Sequence, residues 1–274
     1  MYGIRKEIIT FLIILTVLSA IFNTLIISGG GQMDQNIPYA LGLMFSPAFA
    51  ALLTQFICNR NLRGIGWKWG KTRYQILAYA VPALYVLISY SLILLLGFGR
   101  LNTEIASEFT AVDILLAVTL GVLVNCVIVL GEEIGWRGFL LPKLAKIMSF
   151  TKASIIVGAL WILSHLPIII FADYYTSSTP VWYGLICFSV AAMGVNIAIN
   201  WLRLKSGSVW TAVIFHAVHN QFIQDIDPLI NDIGFTQYFT KEFGLMLAVA
   251  GVIVGWVFWR RRNELLAVDS ITES

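Results

Sequence analysis

Eight apolar runs divide this chain, near 8–28, 38–58, 76–98, 111–137, 153–172, 181–202, 208–224 and 243–259. Most are about 20 residues long, the number a helix rising 1.5 Å per residue needs to cross a hydrocarbon core of roughly 30 Å. They lack the residue-by-residue alternation of a membrane β-barrel. With 58% apolar and 12% charged residues and a mean hydropathy of +0.82, the composition excludes an ordinary soluble domain. The expected fold class is therefore all-α, a polytopic membrane helix bundle of about eight transmembrane helices. The connections are too short to hold a soluble domain, so residues 1–274 are expected to form a single integral membrane domain.

Lysine and arginine set the orientation, because they collect in short cytoplasmic loops. The N-terminal tail carries Arg5 and Lys6; the connection between runs two and three carries Arg60, Arg63, Lys68, Lys71 and Arg73. Arg137, Lys143, Lys146 and Lys152 follow between runs four and five, Arg203 and Lys205 between six and seven, and Arg260, Arg261 and Arg262 after run eight. These alternate segments hold all but Arg100 and Lys241 of the 18 basic residues. The alternation predicts a multi-pass cell-membrane protein with both termini in the cytoplasm. The net charge of +3 is then accounted for by topology and anionic lipid, and requires no nucleic-acid partner. The first run, about 20 apolar residues after Arg5 and Lys6, is long for a signal-peptide core and is read as a span. Cys58, Cys126 and Cys187 lie inside apolar runs at unrelated spacings and read as small hydrophobes.

Few ionisable groups remain inside the runs. The richest stretch is Gly131-Glu-Glu-Ile-Gly-Trp-Arg137. Two carboxylates in or near hydrocarbon cost several kcal/mol unless they are paired, protonated or facing water, so a chain that keeps them has a use for them. Glu133 and Arg137 stand at i and i+4 with the acid first, the favourable order for a helix ion pair. Glu132 is rotated by about 100° from Glu133 and is free to face a cavity. The chain's three histidines, His165, His216 and His219, all sit in apolar sequence, and His216 shares a helix face with Asn220. Counted from the basic-rich ends of their runs, Glu132, His165, His216 and Asn220 lie about 12 to 18 Å deep. That is one level, assigned to the cytoplasmic half of the bilayer.

A carboxylate beside an imidazole is an arrangement that activates water. A second imidazole and a carboxamide are suited to donate hydrogen bonds to a developing oxyanion. The set fits hydrolysis of an acyl bond. Glu132, His165 and His216 are also the ligands that a divalent metal such as zinc would take, although no His-Glu-x-x-His is present. Metal-free and metal-assisted chemistry both stay open.

Three spacings, Glu132-Glu-x-x-x-Arg137, Trp161-x-x-x-His165 and His216-x-x-x-Asn220, resemble the motifs of the CAAX protease and bacteriocin-processing family of intramembrane proteases. The resemblance covers the core from run four to run seven, about residues 111–224, and leaves the outer helices unspecified. The second motif more often begins with Phe; Trp161 keeps an aromatic one turn before the histidine. Carried over, the resemblance implies that Glu132, assisted by His165, activates the attacking water and that His216 and Asn220 stabilise the oxyanion. Glu133 and Arg137 would support the helix. It also implies an endopeptidase, described in the family both as a metalloprotease and as a metal-free glutamate class, acting on a peptide or membrane-protein substrate. The absence of extra domains suggests a bacterial plasma membrane and a substrate without a prenyl group. A monomer is expected.

A proton-coupled transporter using the same Glu and His residues as a relay is the competing reading. It predicts inverted repeats with broken helices in both halves, and the polar residues here are confined to runs four to seven. Other features read as structural. Tyr174 and Tyr175 are expected as interfacial anchors, Gly158, Gly194, Gly251 and Gly255 as points of close helix contact, and Asn196 and Asn200 as candidates to line the cavity.

Overall fold

The computed structural model describes residues 2–265. Helices α1 (Tyr2–Ser28), α2 (Ile37–Asn59) and α3 (Thr72–Leu95) are followed by a short α4 (Thr103–Glu108). Next come α5 (Ala111–Ala145), α6 (Phe150–Phe171), α7 (Val181–Ser206), α8 (Trp210–Ile226) and α9 (Leu245–Arg260). Every predicted apolar run is helical. Six of these helices, α1 to α3 and α5 to α7, are long and apolar enough to cross a membrane; α8 and α9, with 17 and 16 residues, are shorter. The protein is a polytopic helical membrane bundle. Large apolar side chains such as Phe56, Val127, Leu163 and Phe171 point outward, the arrangement expected where the solvent is hydrocarbon.

Helix α7 is the most enclosed. It packs on α9 and α6, while α8 is wedged among α3, α5 and α7, and α2 lies between α1 and α5. Glycine decides how near two of these pairs come. A Cβ on Gly194 would stand 2.0 Å from the Gly251 carbonyl oxygen, and one on Gly255 would stand 2.8 Å from the Gly194 Cα. The small-residue spacing of α9 thus serves internal packing against α7. At the other pair, a Cβ on Gly131 or Gly135 would run into the α2 backbone at Met44 or Pro47. The two glycines that flank the acidic pair therefore let α2 rest directly on α5.

Helix α5 is not uniform. Ala117–Gly121 and Ile134–Leu140 adopt the wider π-helical turn, the second immediately after Glu133. Such turns are rare and gather at functional sites. The helix runs past Pro142 to Ala145. Proline offers no N–H to the carbonyls behind it, and the Arg137 carbonyl, five residues back, accepts from Arg203 Nε at 2.9 Å instead. At the opposite end of the bundle, a two-residue antiparallel ladder pairs Arg100–Leu101 with Ile230–Asn231. It ties the α3–α4 connection to the α8–α9 connection.

The glycine seam gives a stability test. Gly194→Ala forces α7 and α9 apart and is expected to cost about 1–3 kcal/mol, the usual range for overpacking. Gly3→Ala, whose Cβ meets nothing within 4 Å, is expected to be neutral. Thermal unfolding in detergent, with the two variants side by side, reads the difference.

Candidate active site

The two acidic neighbours on α5 meet different surroundings. Glu133 is fully buried, as is Arg137, and the pair is joined by an Arg137 Nη1 to Glu133 Oε1 bond of 2.8 Å. The same oxygen meets His216 Nδ1 of α8 at 2.9 Å. A carboxylate only accepts, so His216 carries its proton on Nδ1 and turns Nε2 away from Glu133. Arg137 completes its shell on α7, donating to Asn200 Oδ1 at 3.3 Å and Asn196 Oδ1 at 3.2 Å. Asn196 in turn donates to the Ser154 carbonyl of α6 at 2.8 Å. The two asparagines, expected to line the cavity, are fully buried and hold the arginine instead.

Glu132, one residue earlier, faces a cavity of about 240 Å³. Its Oε2 accepts a hydrogen bond of 2.7 Å from Trp161 Nε1 on α6. Trp161 does more than hold aromatic bulk before the histidine. Its ring lies under the Arg137 guanidinium at 4.5 Å and meets both His165 and His216 edge to face, at centroid separations of 5.8 and 5.4 Å. One indole therefore touches every ionisable group of the three motifs except Glu133. A phenylalanine there would keep the packing and lose the bond to Glu132.

His165 Nδ1 lies 2.9 Å from the Trp161 carbonyl, one turn back on its own helix. The carbonyl can only accept, so Nδ1 carries the proton and Nε2 keeps its lone pair. His165 and Asn220 both line the cavity with Glu132 and His216. The Asn220 carboxamide makes no hydrogen bond among the described residues. His219 also borders the cavity, but its Nδ1 is held 2.6 Å from the Tyr85 hydroxyl of α3. It is tied to the α3–α8 contact.

The cluster sits near the middle of its helices, with His216 about 9 Å from the basic-rich end of α8 at Trp210. His165 and Asn220 each lie about 9 Å along the axis from the basic-poor end of their helix, Phe171 or Ile226. Glu132 is about 20 Å from the basic-rich end of α5. The far part of the cavity is walled by Met33, Tyr174, Gln224 and Glu242, all at basic-poor ends or connections. Tyr174, expected at the membrane interface, packs against His165 at 6.0 Å and on Phe243. Leu15 of α1 and Met44 and Pro47 of α2 add an apolar wall. None of these positions carries a sequence signal, since an apolar residue on an outer helix looks alike whether it faces lipid or a cavity.

Among the described residues, no three His, Cys, Asp or Glu side chains come together closely enough to hold a metal ion. Of the three that would be needed, Glu132 has one oxygen on Trp161, and His165 and His216 each have Nδ1 occupied. Each side chain keeps one donor atom outside these bonds, the second Glu132 oxygen and the two Nε2 atoms, and an Nδ1–H on a carbonyl or carboxylate is the support that a metal-bound histidine also has.

Residues 113–222 match the family model of the type II CAAX prenyl endopeptidases, Rce1-like. Over 129 residues the chain is 35% identical to CAAX prenyl protease 2 of Methanococcus maripaludis, covering 45% of this chain and 44% of that protein. The chain thus matches less than half the length of this relative. The matched segment contains all three motifs, and the family resemblance read from them holds.

The buried network gives a second stability test. Arg137→Leu leaves Glu133 without its arginine and is expected to cost about 3–5 kcal/mol, the usual penalty for breaking a buried pair. Glu133→Gln combined with Arg137→Met is expected to recover part of that loss. Chemical unfolding in mild detergent checks the order, and a double variant weaker than Arg137→Leu contradicts it.

Proposed function

Starting from the chain's Rce1-like core at residues 113–222, we propose that it is an intramembrane endopeptidase in which Glu132 activates water. The observation that carries the reading is the convergence of Glu132, His165, His216 and Asn220 from three helices on one cavity. Glu132 takes a proton from water as the water oxygen bonds to the peptide carbonyl carbon. His165, with its Nε2 lone pair free, accepts from the same water and orients it. Asn220 donates to the oxyanion through its carboxamide N–H. His216 donates through Nε2 in its doubly protonated form, whose charge is met by Glu133. Glu132 then gives its proton to the leaving amine as the C–N bond breaks. Each named group is within the repertoire of general acid–base and oxyanion catalysis.

Trp161 positions Glu132 in this scheme. Its N–H fixes one carboxylate oxygen, leaving the other to meet water. Glu133 and Arg137 position His216. The chemistry proposed is of the metal-free glutamate type, so chelation with EDTA is expected to leave turnover unchanged. A proton-coupled carrier is the weaker reading, because the motifs and the family match belong to an endopeptidase core.

The basic-rich ends are assigned to the cytoplasm, with both termini there, and the membrane proposed is a bacterial plasma membrane. The cut then falls near mid-membrane, with the far part of the cavity reaching toward the outer face. The substrate class proposed is a small peptide or membrane protein without a prenyl group.

Two variants test the assignment. Glu132→Ala in purified protein is expected to abolish peptide cleavage, a loss of at least about 10²–10⁴ fold for a general base, and full activity in it would refute the assignment. Trp161→Phe is expected to lower kcat by about tenfold with KM little changed, since it removes one neutral–charged hydrogen bond. Comparing the membrane peptides of cells carrying wild type and Glu132→Ala identifies the natural substrate as the one whose product is missing.

A further inference from the structure

The cavity has a second carboxylate. Glu242 lies in the connection between α8 and α9, outside all three motifs, and borders the same space as Glu132 and His165. The turn that presents it is an unusual one. Lys241 holds φ at 58°, in the left-handed region that residues with a side chain seldom adopt. Its backbone N–H donates to the Tyr90 hydroxyl at 3.2 Å, and its Nζ turns away to Asp227 at 3.5 Å. On the other flank Phe243 is buried against Tyr174, Tyr175 and Phe188. With Lys241 turned outward and Phe243 locked in, Glu242 faces the cavity.

Its charge is left uncompensated there. Glu242 makes no ion pair among the described residues, because its neighbouring lysine is taken up by Asp227. No lysine or arginine lines the cavity, whose remaining wall is largely apolar. Burial pushes the Glu242 carboxyl above its usual range, and a backbone hydrogen bond and the charge of Lys241 only partly offset that. A half-buried carboxylate in apolar surroundings gains most from a cation brought to it. A peptide with a free carboxylate on the Glu242 side of the scissile bond would meet that carboxylate with no lysine or arginine to offset it, a costly like-charge encounter.

We infer that Glu242 forms a cation-accepting subsite, selecting substrates that present an ammonium or guanidinium group within a few residues of the scissile bond. A Lys or Arg side chain and a free amino terminus share that chemistry. The inference rests on the endopeptidase reading for its role in substrate choice, and on the cavity alone for binding.

Binding and cleavage are measured separately on the full chain in detergent. The probes are fluorescent apolar peptides, identical except for Lys, Gln or Glu at one position, with an acetylated and a free amino terminus as a second pair. In the Glu132→Gln background, fluorescence anisotropy is expected to show Lys peptides bound at least about tenfold more tightly than Glu peptides, given the cost of like charges in a confined site. Glu242→Gln is expected to level the series, Glu242→Lys to reverse it, and Glu242→Asp to preserve it. Thermal unfolding of each variant separates a lost subsite from a lost fold. The acetylated and free-amine pair shows which source of the cation the site prefers. A Lys preference that survives in Glu242→Gln overturns the subsite, as does binding by wild type that ignores charge. If the preference depends on Glu242 and yet wild type cleaves none of the peptides, the subsite stands and the endopeptidase reading fails.

Discussion

A carboxylate sealed inside the bundle, Glu133, is the point on which the site depends. It joins Arg137 on its own helix to His216 on α8, and Arg137 carries the linkage to α7 and, through Asn196, to the Ser154 carbonyl of α6. Four helices are thereby cross-linked at one depth. In hydrocarbon such a network is held to a narrow geometry, because any unpaired member would be a buried charge or an unsatisfied polar group. The geometry it imposes is functional. It fixes the His216 ring with Nδ1 on Glu133 and holds the arginine over the Trp161 ring, and Trp161 in turn holds Glu132.

Much of this was legible in the residues. Apolar runs of spanning length located the helices, and the i, i+4 order of Glu133 and Arg137 gave their pairing. The 100° step between adjacent residues separated Glu132 from Glu133 before any coordinates. Other parts were hidden for physical reasons. Asn196 and Asn200 lie on the inner face of α7, and helical phase alone does not distinguish a cavity wall from a polar network inside the protein. The π turn after Glu133 cannot be read from periodicity. Tyr174 and Glu242 lie in connections, where neither hydropathy nor spacing indicates which side chain folds inward. The family resemblance was informative for α5, α6 and α8 and silent on α1 and α2, which supply a wall of the cavity.

The cavity unites these elements into a reading of function. One end is polar, with the groups needed to move a proton and stabilise an oxyanion. The walls are apolar, suited to a membrane-embedded peptide. The other end has a carboxylate, Glu242, with no cation beside it. The cavity's reach toward the basic-poor ends links substrate access to the orientation of the whole chain.

The central claim is that adjacent glutamates have separate tasks, one chemical and one structural. Glu132→Gln and Glu133→Gln, purified in parallel and assayed for both thermal unfolding and peptide turnover, test it most directly. The account predicts that Glu132→Gln unfolds near the wild-type temperature and has no turnover. It predicts that Glu133→Gln unfolds at a clearly lower temperature and keeps measurable turnover below its transition. The reverse pattern, with turnover retained in Glu132→Gln and lost in a fully stable Glu133→Gln, would contradict the division of labour on which the site is built.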